Sequence, residues 1–295
     1  MKTILFIALA VVALGFVAAW LAALLRPRQP RRGPDWRDTG VGFITNVFDT
    51  LGIGSFATTT TFFKLWRMVP DEEIPGTLMV GHTPPSLLQA FIFIAVVQVD
   101  LTTLVLMIAS SAAGAWLGAG IVSRLPRLKI RVGMGTALLA AAALMTVTQL
   151  RWLPGGGESL ELTGAALILA AAGNFIFGAL MTLGIGLYAP CMITVSLLGM
   201  NPRAAFPIMM GSCAVLMSVG SLPFIRAERY SRKAALGLTA GGIPGVLLAA
   251  FVVKSLPLTA VRWLVVAVVI YTASMMLRSA VIERRGGEKP AGAVA

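Results

Sequence analysis

The sequence predicts an all-α polytopic membrane protein. One N-terminal helix is followed by two homologous halves in inverted orientation, each opening with a glycine-broken, re-entrant helix. Three observations predict this. Of the 295 residues, 57% are hydrophobic and only 12% charged, against about 25% charged in a soluble domain. The octapeptide "TLGIGSFA" (Thr50 to Ala57) returns as "TLGIGLYA" (Thr182 to Ala189). Lys and Arg also sort to one face of a membrane if both broken elements enter and leave on the same side.

The first apolar run, Ile4 to Leu25, is long enough to span a bilayer. Its heavy charge, "RPRQPRR", lies behind it, whereas a cleavable signal has its charge in front and a small-residue cleavage site behind. It reads as a retained transmembrane helix with its C-terminal end in the cytoplasm. With the basic loop it forms a first unit, 1–39.

The first half, 40–150, has four apolar elements at about 41–65, 75–98, 101–122 and 132–150. The polar, glycine-rich stretch "RWLPGGGESLE" marks a linker, 151–164. The second half, 165–280, repeats the count at about 165–198, 204–224, 234–253 and 262–279, and a polar tail, 281–295, follows. Landmarks match in order. Met68 and Pro70 fall on Met200 and Pro202, and Pro75 falls on Pro207. "SRLPRLKIR" (Ser123 to Arg131) falls on "KSLPLTAVR" (Lys254 to Arg262). Gly114 and Gly118 form a GxxxG, as do Gly241 and Gly245, a pattern that lets helices approach closely in lipid.

The positive-inside rule chooses the orientation. With re-entrant broken elements, 19 Lys and Arg lie in the cytoplasm and 5 outside; if every element spans, the split is 14 to 10. The expectation is seven full spans, two re-entrant hairpins, the N-terminus outside and the C-terminus inside.

The net charge of +12 is therefore a topology and lipid signal and not a nucleic-acid footprint. Cys191 and Cys213 have neither disulfide nor metal spacing, and no metal or other cofactor is expected. Both octapeptides fit G-x-G-x-x-A, but the strand that a dinucleotide site needs is not readable. No side chain has the company of a catalytic nucleophile, so an enzyme is not expected.

Duplication in a polytopic protein points to a transporter with its site at interrupted segments where the halves meet. The half-helix after each break offers free N–H groups and a positive dipole end to an anion. Gly52, Gly54, Gly184 and Gly186 would let bare backbone approach it. Asn46, Ser55, Thr58, Thr59, Tyr188 and Cys191 would line the turns. Pro190 suits the first turn of a new helix. Asp49, whose match in the second half is Met181, is a carboxylate inside an apolar element and a functional candidate by default. His82, the single histidine, lies in "GHTPPS", a proline-disturbed stretch, and can relay protons. Asp49 and His82 are the proton-coupling candidates. Cys191 falls on Thr59 and Cys213 on Thr83, so small polar groups recur at matching depths.

"GFITNVFDTLGIGSFATTTTFFKL" with "VPDEEIPGTLMVGHTPP", and "FGALMTLGIGLYAPCMITVSLLGMNPRAAFPIMMGSCAV" in the second half, resemble the sulfite exporter TauE/SafE family of membrane permeases over about 40–280. The resemblance implies movement of sulfite, thiosulfate, organosulfonates or related anions across the bacterial cytoplasmic membrane. Where many members carry further glycines after the first Gly-x-Gly, this chain has Ser55-Phe56 and Leu187-Tyr188. The expected partners are a small anion, the bilayer and a coupled proton or other ion; a homodimer stays open. The competing reading is a membrane scaffold or assembly subunit that carries nothing.

Overall fold

A computed structural model describes residues 2–25, 33–70, 72–122, 127–150, 157–181 and 187–287. Within them the chain is helical, apart from an isolated bridge between Ser159 and Met200. The helices are α1 (Lys2–Leu24), α2 (Trp36–Thr50), α3 (Phe56–Trp66), α4 (Ile74–Val96), α5 (Leu101–Val122) and α6 (Arg127–Gln149). They continue with α7 (Gly164–Met181), α8 (Tyr188–Leu197), a 3₁₀ turn (Pro202–Ala204), α9 (Ala205–Gly220), α10 (Leu222–Ala227), α11 (Arg232–Ser255) and α12 (Leu258–Gly287).

Among the described residues, six stretches are long and apolar enough to cross a membrane: α1, α4, α7, Pro202–Ala227, Arg232–Val252 and Trp263–Ile282. The protein is a multi-pass membrane protein. Five of these are among the seven spans expected from sequence. The sixth, α7, is a stretch that the sequence assigned to a re-entrant arm. Of the remaining two, α5 contributes a shorter apolar stretch, Leu101–Leu117; α6 runs through residues whose side chains are largely outside the description.

The first of the expected broken elements divides where Gly52 and Gly54 stand. The expected 41–65 is α2 plus α3, and the expected 165–198 is α7 plus α8. Each first arm packs on an element of the opposite half, α2 along α11 and α7 along α5. These interfaces are backbone against backbone. A Cβ on Gly241 would stand 1.8 Å from the Thr39 carbonyl oxygen, and one on Gly245 would stand 2.5 Å from that of Phe43. On the other side, a Cβ on Gly114 would meet the Phe175 carbonyl at 1.8 Å, and one on Gly178 that of Ser111 at 2.1 Å. Gly241 and Gly245 thus seat α2 on α11, and Gly114 and Gly178 seat α7 on α5. In the middle, α4 packs on α9 and α6 on α12, while α4 also meets α11 and α5 meets α9. The α2–α11 and α7–α5 pairings correspond under the alignment of the two octapeptides, as do α4–α11 and α9–α5.

The proline-disturbed stretch at His82 does not end its helix: α4 runs on through Pro84 and Pro85. Pro85 has no N–H for the Gly81 carbonyl four residues back. Thr239 of α11 supplies the missing donor, its hydroxyl 2.9 Å from the Gly81 oxygen. α2 begins in a capping box, with the Asp35 carboxylate accepting from the Arg37 and Asp38 amides. Lys233 of α11 lies 2.7 Å from Asp35 and 3.4 Å from Asp38. The Lys233 hydrogen bond, above all, holds the Asp35 carboxyl down to about 2. α1 buries Leu9, Phe16, Trp20 and Ala23, a single helical stripe, and stacks Phe6 on Phe91 of α4.

The glycine interfaces give a direct test. Gly241→Ala should lower stability in detergent by about 2–3 kcal/mol, because its new methyl meets a carbonyl that cannot turn away. Gly40→Ala, one of the glycines with nothing within 4 Å of the added Cβ, should leave the thermal midpoint in place. Equal midpoints for both variants would contradict the backbone contact.

Candidate functional site

The first break is built by two glycines with different tasks. Gly52 has φ +92° and Gly54 φ +91°. The Ile53 amide bonds the Phe48 carbonyl at 3.0 Å and the Gly52 amide bonds that of Asp49 at 2.9 Å. This is the Schellman closure of a helix C-terminus, which asks for a left-handed residue at the position Gly52 holds. An added Cβ at Gly52 would also press on the Met192 side chain at 3.0 Å. Gly52 thus ends α2. Gly54 has no neighbour within 4 Å of an added Cβ, and it delivers the chain to Ser55, the N-cap of α3.

Ahead of the Thr59 amide, which bonds the Ser55 carbonyl at 2.9 Å, the first amides of α3 have no partner inside the helix. α8 starts the same way from Leu187, with the Cys191 amide on the Leu187 carbonyl at 2.9 Å. Pro190 removes one of its three free amides.

The two helix starts face one small cavity of about 50 Å³. Gly54, Ser55 and Phe56 line it from the first break, and Leu187, Tyr188 and Ala189 from the second. Asp49 and its sequence counterpart Met181 both reach it, and Cys213 and Met217 of α9 and Thr272 of α12 close it. Asp49 is the single carboxylate in that lining, and the lining holds no Lys, Arg or His. Its Oδ2 accepts from Gln89 Nε2 at 2.9 Å and from the Tyr188 hydroxyl at 3.3 Å. Ser55 lines the same cavity as the Asp49 carboxyl.

His82 forms a second, separate cluster. Its Nε2 lies 2.9 Å from Thr59 Oγ1, and its Nδ1 lies 3.0 Å from Asn46 Nδ2 and 3.3 Å from Asn46 Oδ1. All three residues are buried. His82 of α4 therefore ties α2 to α3 across the break, and the Phe56 ring lies beside the imidazole with centroids 6.2 Å apart.

Of the residues selected from sequence, Gly54, Ser55, Tyr188 and Asp49 meet at the cavity. Gly52 sits behind it. Asn46 and Thr59 face His82, with Asn46 also donating to the Gly42 carbonyl at 2.7 Å. The Thr58 hydroxyl bonds the Ser55 carbonyl at 2.8 Å, and Cys191 is buried in the core on α8. Gly184 and Gly186 lie outside the described residues. Gln89, which also donates to Thr50 Oγ1 at 2.9 Å, was missed. Its signal was an amide in the apolar run "LLQAFIFIA", a position where a polar group is functional by default. A larger open groove of about 690 Å³ between the ends of α4 and α11, with Glu158 and Arg203 at its edge, holds none of the selected residues.

Residues 1–146 match the family model described as sulfite exporter TauE/SafE. No curated protein and no solved structure matches the chain. The match reaches back through α1, which the resemblance over 40–280 had left out, and it stops at α6. Through residues 1–146, this multi-pass membrane protein is similar to the sulfite exporter TauE/SafE family.

Proposed function

We propose that the chain is a secondary transporter of a small sulfur-containing anion, sulfite, thiosulfate or an organosulfonate, across the bacterial cytoplasmic membrane. The anion is held between the N-termini of α3 and α8. One observation carries the reading: a single cavity is lined by the starts of both α3 and α8, one from each half of the sequence. The family match over residues 1–146 supports the anion class. Gly54, Ser55 and Tyr188 contact the anion first. Gly52, Gly184 and Gly186 shape the turns, and Asn46, Thr58, Thr59 and Cys191 support them. Asp49 and His82 serve proton coupling.

Each helix end contributes about 0.3–1 kcal/mol when exposed and up to about 2 when partly buried. Two ends and a few hydrogen bonds give micromolar-to-millimolar binding, weak enough for release. The cavity suits size as well as charge. A water molecule claims about 30 Å³ of the liquid, so a space of about 50 Å³ takes an inorganic anion of a few atoms, and a longer sulfonate requires the arms to part.

The halves, 40–150 and 165–280, are read as inverted repeats with re-entrant first elements. α2 with 15 residues and α3 with 11 extend about 22 and 16 Å, each short of a hydrocarbon core of about 30 Å. α2 packs against α3, and α7 against α8, as hairpin arms do. The reciprocal pairings of α2 with α11 and α7 with α5 fit a pseudo-two-fold axis in the membrane plane.

Purified protein in proteoliposomes should take up sulfite saturably. Ser55→Ala should weaken that binding by about 1.5–3 kcal/mol, roughly ten- to a hundredfold, the usual value of a hydrogen bond to a charged group. Absence of uptake across a panel of sulfite, thiosulfate, sulfonate and sulfate would favour a scaffold. Undiminished binding by Ser55→Ala would move the site elsewhere. A cysteine placed in the loop 124–131 should react with impermeant maleimide only from the cytoplasmic side. Labelling from outside would contradict the inverted arrangement.

A further inference from the structure

The start of α3 already faces an anion of the protein's own. Asp49 Oδ2 accepts from the Tyr188 hydroxyl at 3.3 Å and shares one cavity with Ser55, the groups that the reading above gives to the cargo. We infer that the Asp49 carboxylate is a stand-in for the transported anion. The cargo enters when Asp49 takes up a proton and gives up these donors, so one proton is bound with each anion. The inference rests on the proposed transport site.

A second observation points to a ligand there. The Thr272 hydroxyl oxygen on α12 lines the cavity, is shut off from solvent, and has no hydrogen-bond partner among the described residues. Several threonine hydroxyls in these helices turn back onto the carbonyl four residues earlier. Thr45 bonds Val41 at 2.7 Å, Thr50 bonds Asn46 at 2.8 Å, and Thr83 bonds Met79 at 2.6 Å. Thr272 does not. Asp49 engages Tyr188 and leaves the α12 side with a spare hydroxyl, as expected of a site shaped for a ligand larger than one carboxylate.

Electrostatics makes the exchange strict. Two like unit charges about 5 Å apart, at an effective dielectric of about 20, oppose one another by a few hundredfold in affinity. No cation in the lining offsets this. The titratable groups that face Asp49 are Tyr188 of α8 and Cys213 of α9. Gln89 of α4, Met181 of α7 and Thr272 of α12 carry no charge. When Asp49 is neutral, the proton sits on its carboxyl, and the Ser55, Tyr188 and Thr272 hydroxyls are free to donate to the incoming oxygens. Met181, at the matching position, leaves α8 without such a stand-in, so the second break has no coupled group of its own.

The test is a titration of the full-length protein with thiosulfate, whose charge stays constant from mildly acid to mildly alkaline buffer. Affinity of the parent should rise as pH falls, approaching tenfold per pH unit where one proton is linked to one anion. Asp49→Asn should bind with no pH dependence, and in alkaline buffer more tightly than the parent. A carboxylate that merely braces the site predicts the opposite sign, weaker binding by Asp49→Asn at every pH, and that result would overturn the inference. In proteoliposomes carrying a pH dye, thiosulfate entry through the parent should acidify the lumen; entry without acidification would also overturn it. A parent that binds thiosulfate with a flat pH profile removes the coupling alone. A parent that binds none of the anions in the panel removes the site with it.

Discussion

Breaking a helix inside a bilayer strands carbonyls on one side of the break and amides on the other, with no water to satisfy them. The rest of this structure depends on how that constraint is met. At the end of α2 the carbonyls are closed locally, by the Schellman bonds that Gly52 permits. At the start of α3 no such local closure exists, and Asp49 lines the cavity that this start faces. The break is therefore finished on one side and conditional on the other. A helix start satisfied by a removable anion is a binding site by construction.

Holding two such starts face to face requires stiff arms. α2 and α7 gain that stiffness by lying backbone to backbone on α11 and α5, at contacts too close for any Cβ. The arms that follow the breaks differ. α8 is buried along most of its length. α3 keeps Leu65 71% exposed and Trp66 45% exposed, and Phe63 and the Thr59–His82 bond tie it inward. The proposed pocket thus has a fixed wall at α8 and a lightly tethered wall at α3. The His82 ring nitrogens, which face Thr59 and Asn46, form that tether.

Much of this was legible in the sequence because it is written in local chemistry. Apolar runs mark the helices, Gly-x-Gly marks the breaks, and GxxxG marks the close crossings that α5 and α11 make. What escaped depends on partners distant in sequence. Gln89 reaches Asp49 across 40 residues. Pro84 and Pro85 read as a disturbance because the donor that repairs α4 is Thr239, 158 residues from Gly81. Thr58 and Thr59 look alike in sequence, yet one hydroxyl folds back on its own helix and the other faces His82. Gly52 was read as making room for a ligand, while its left-handed backbone is needed to end α2. Met181, Met217 and Thr272 carry no signal until three helices bring them together.

The central claim is that both breaks serve one anion. Selenite, the heavier analogue of sulfite, tests it most directly through anomalous scattering from crystals of the full-length protein. The account predicts a selenium peak in the cavity between Ser55 and Tyr188, within hydrogen-bond reach of Thr272. A peak confined to the Arg203 groove, or no peak at saturating selenite, would contradict it.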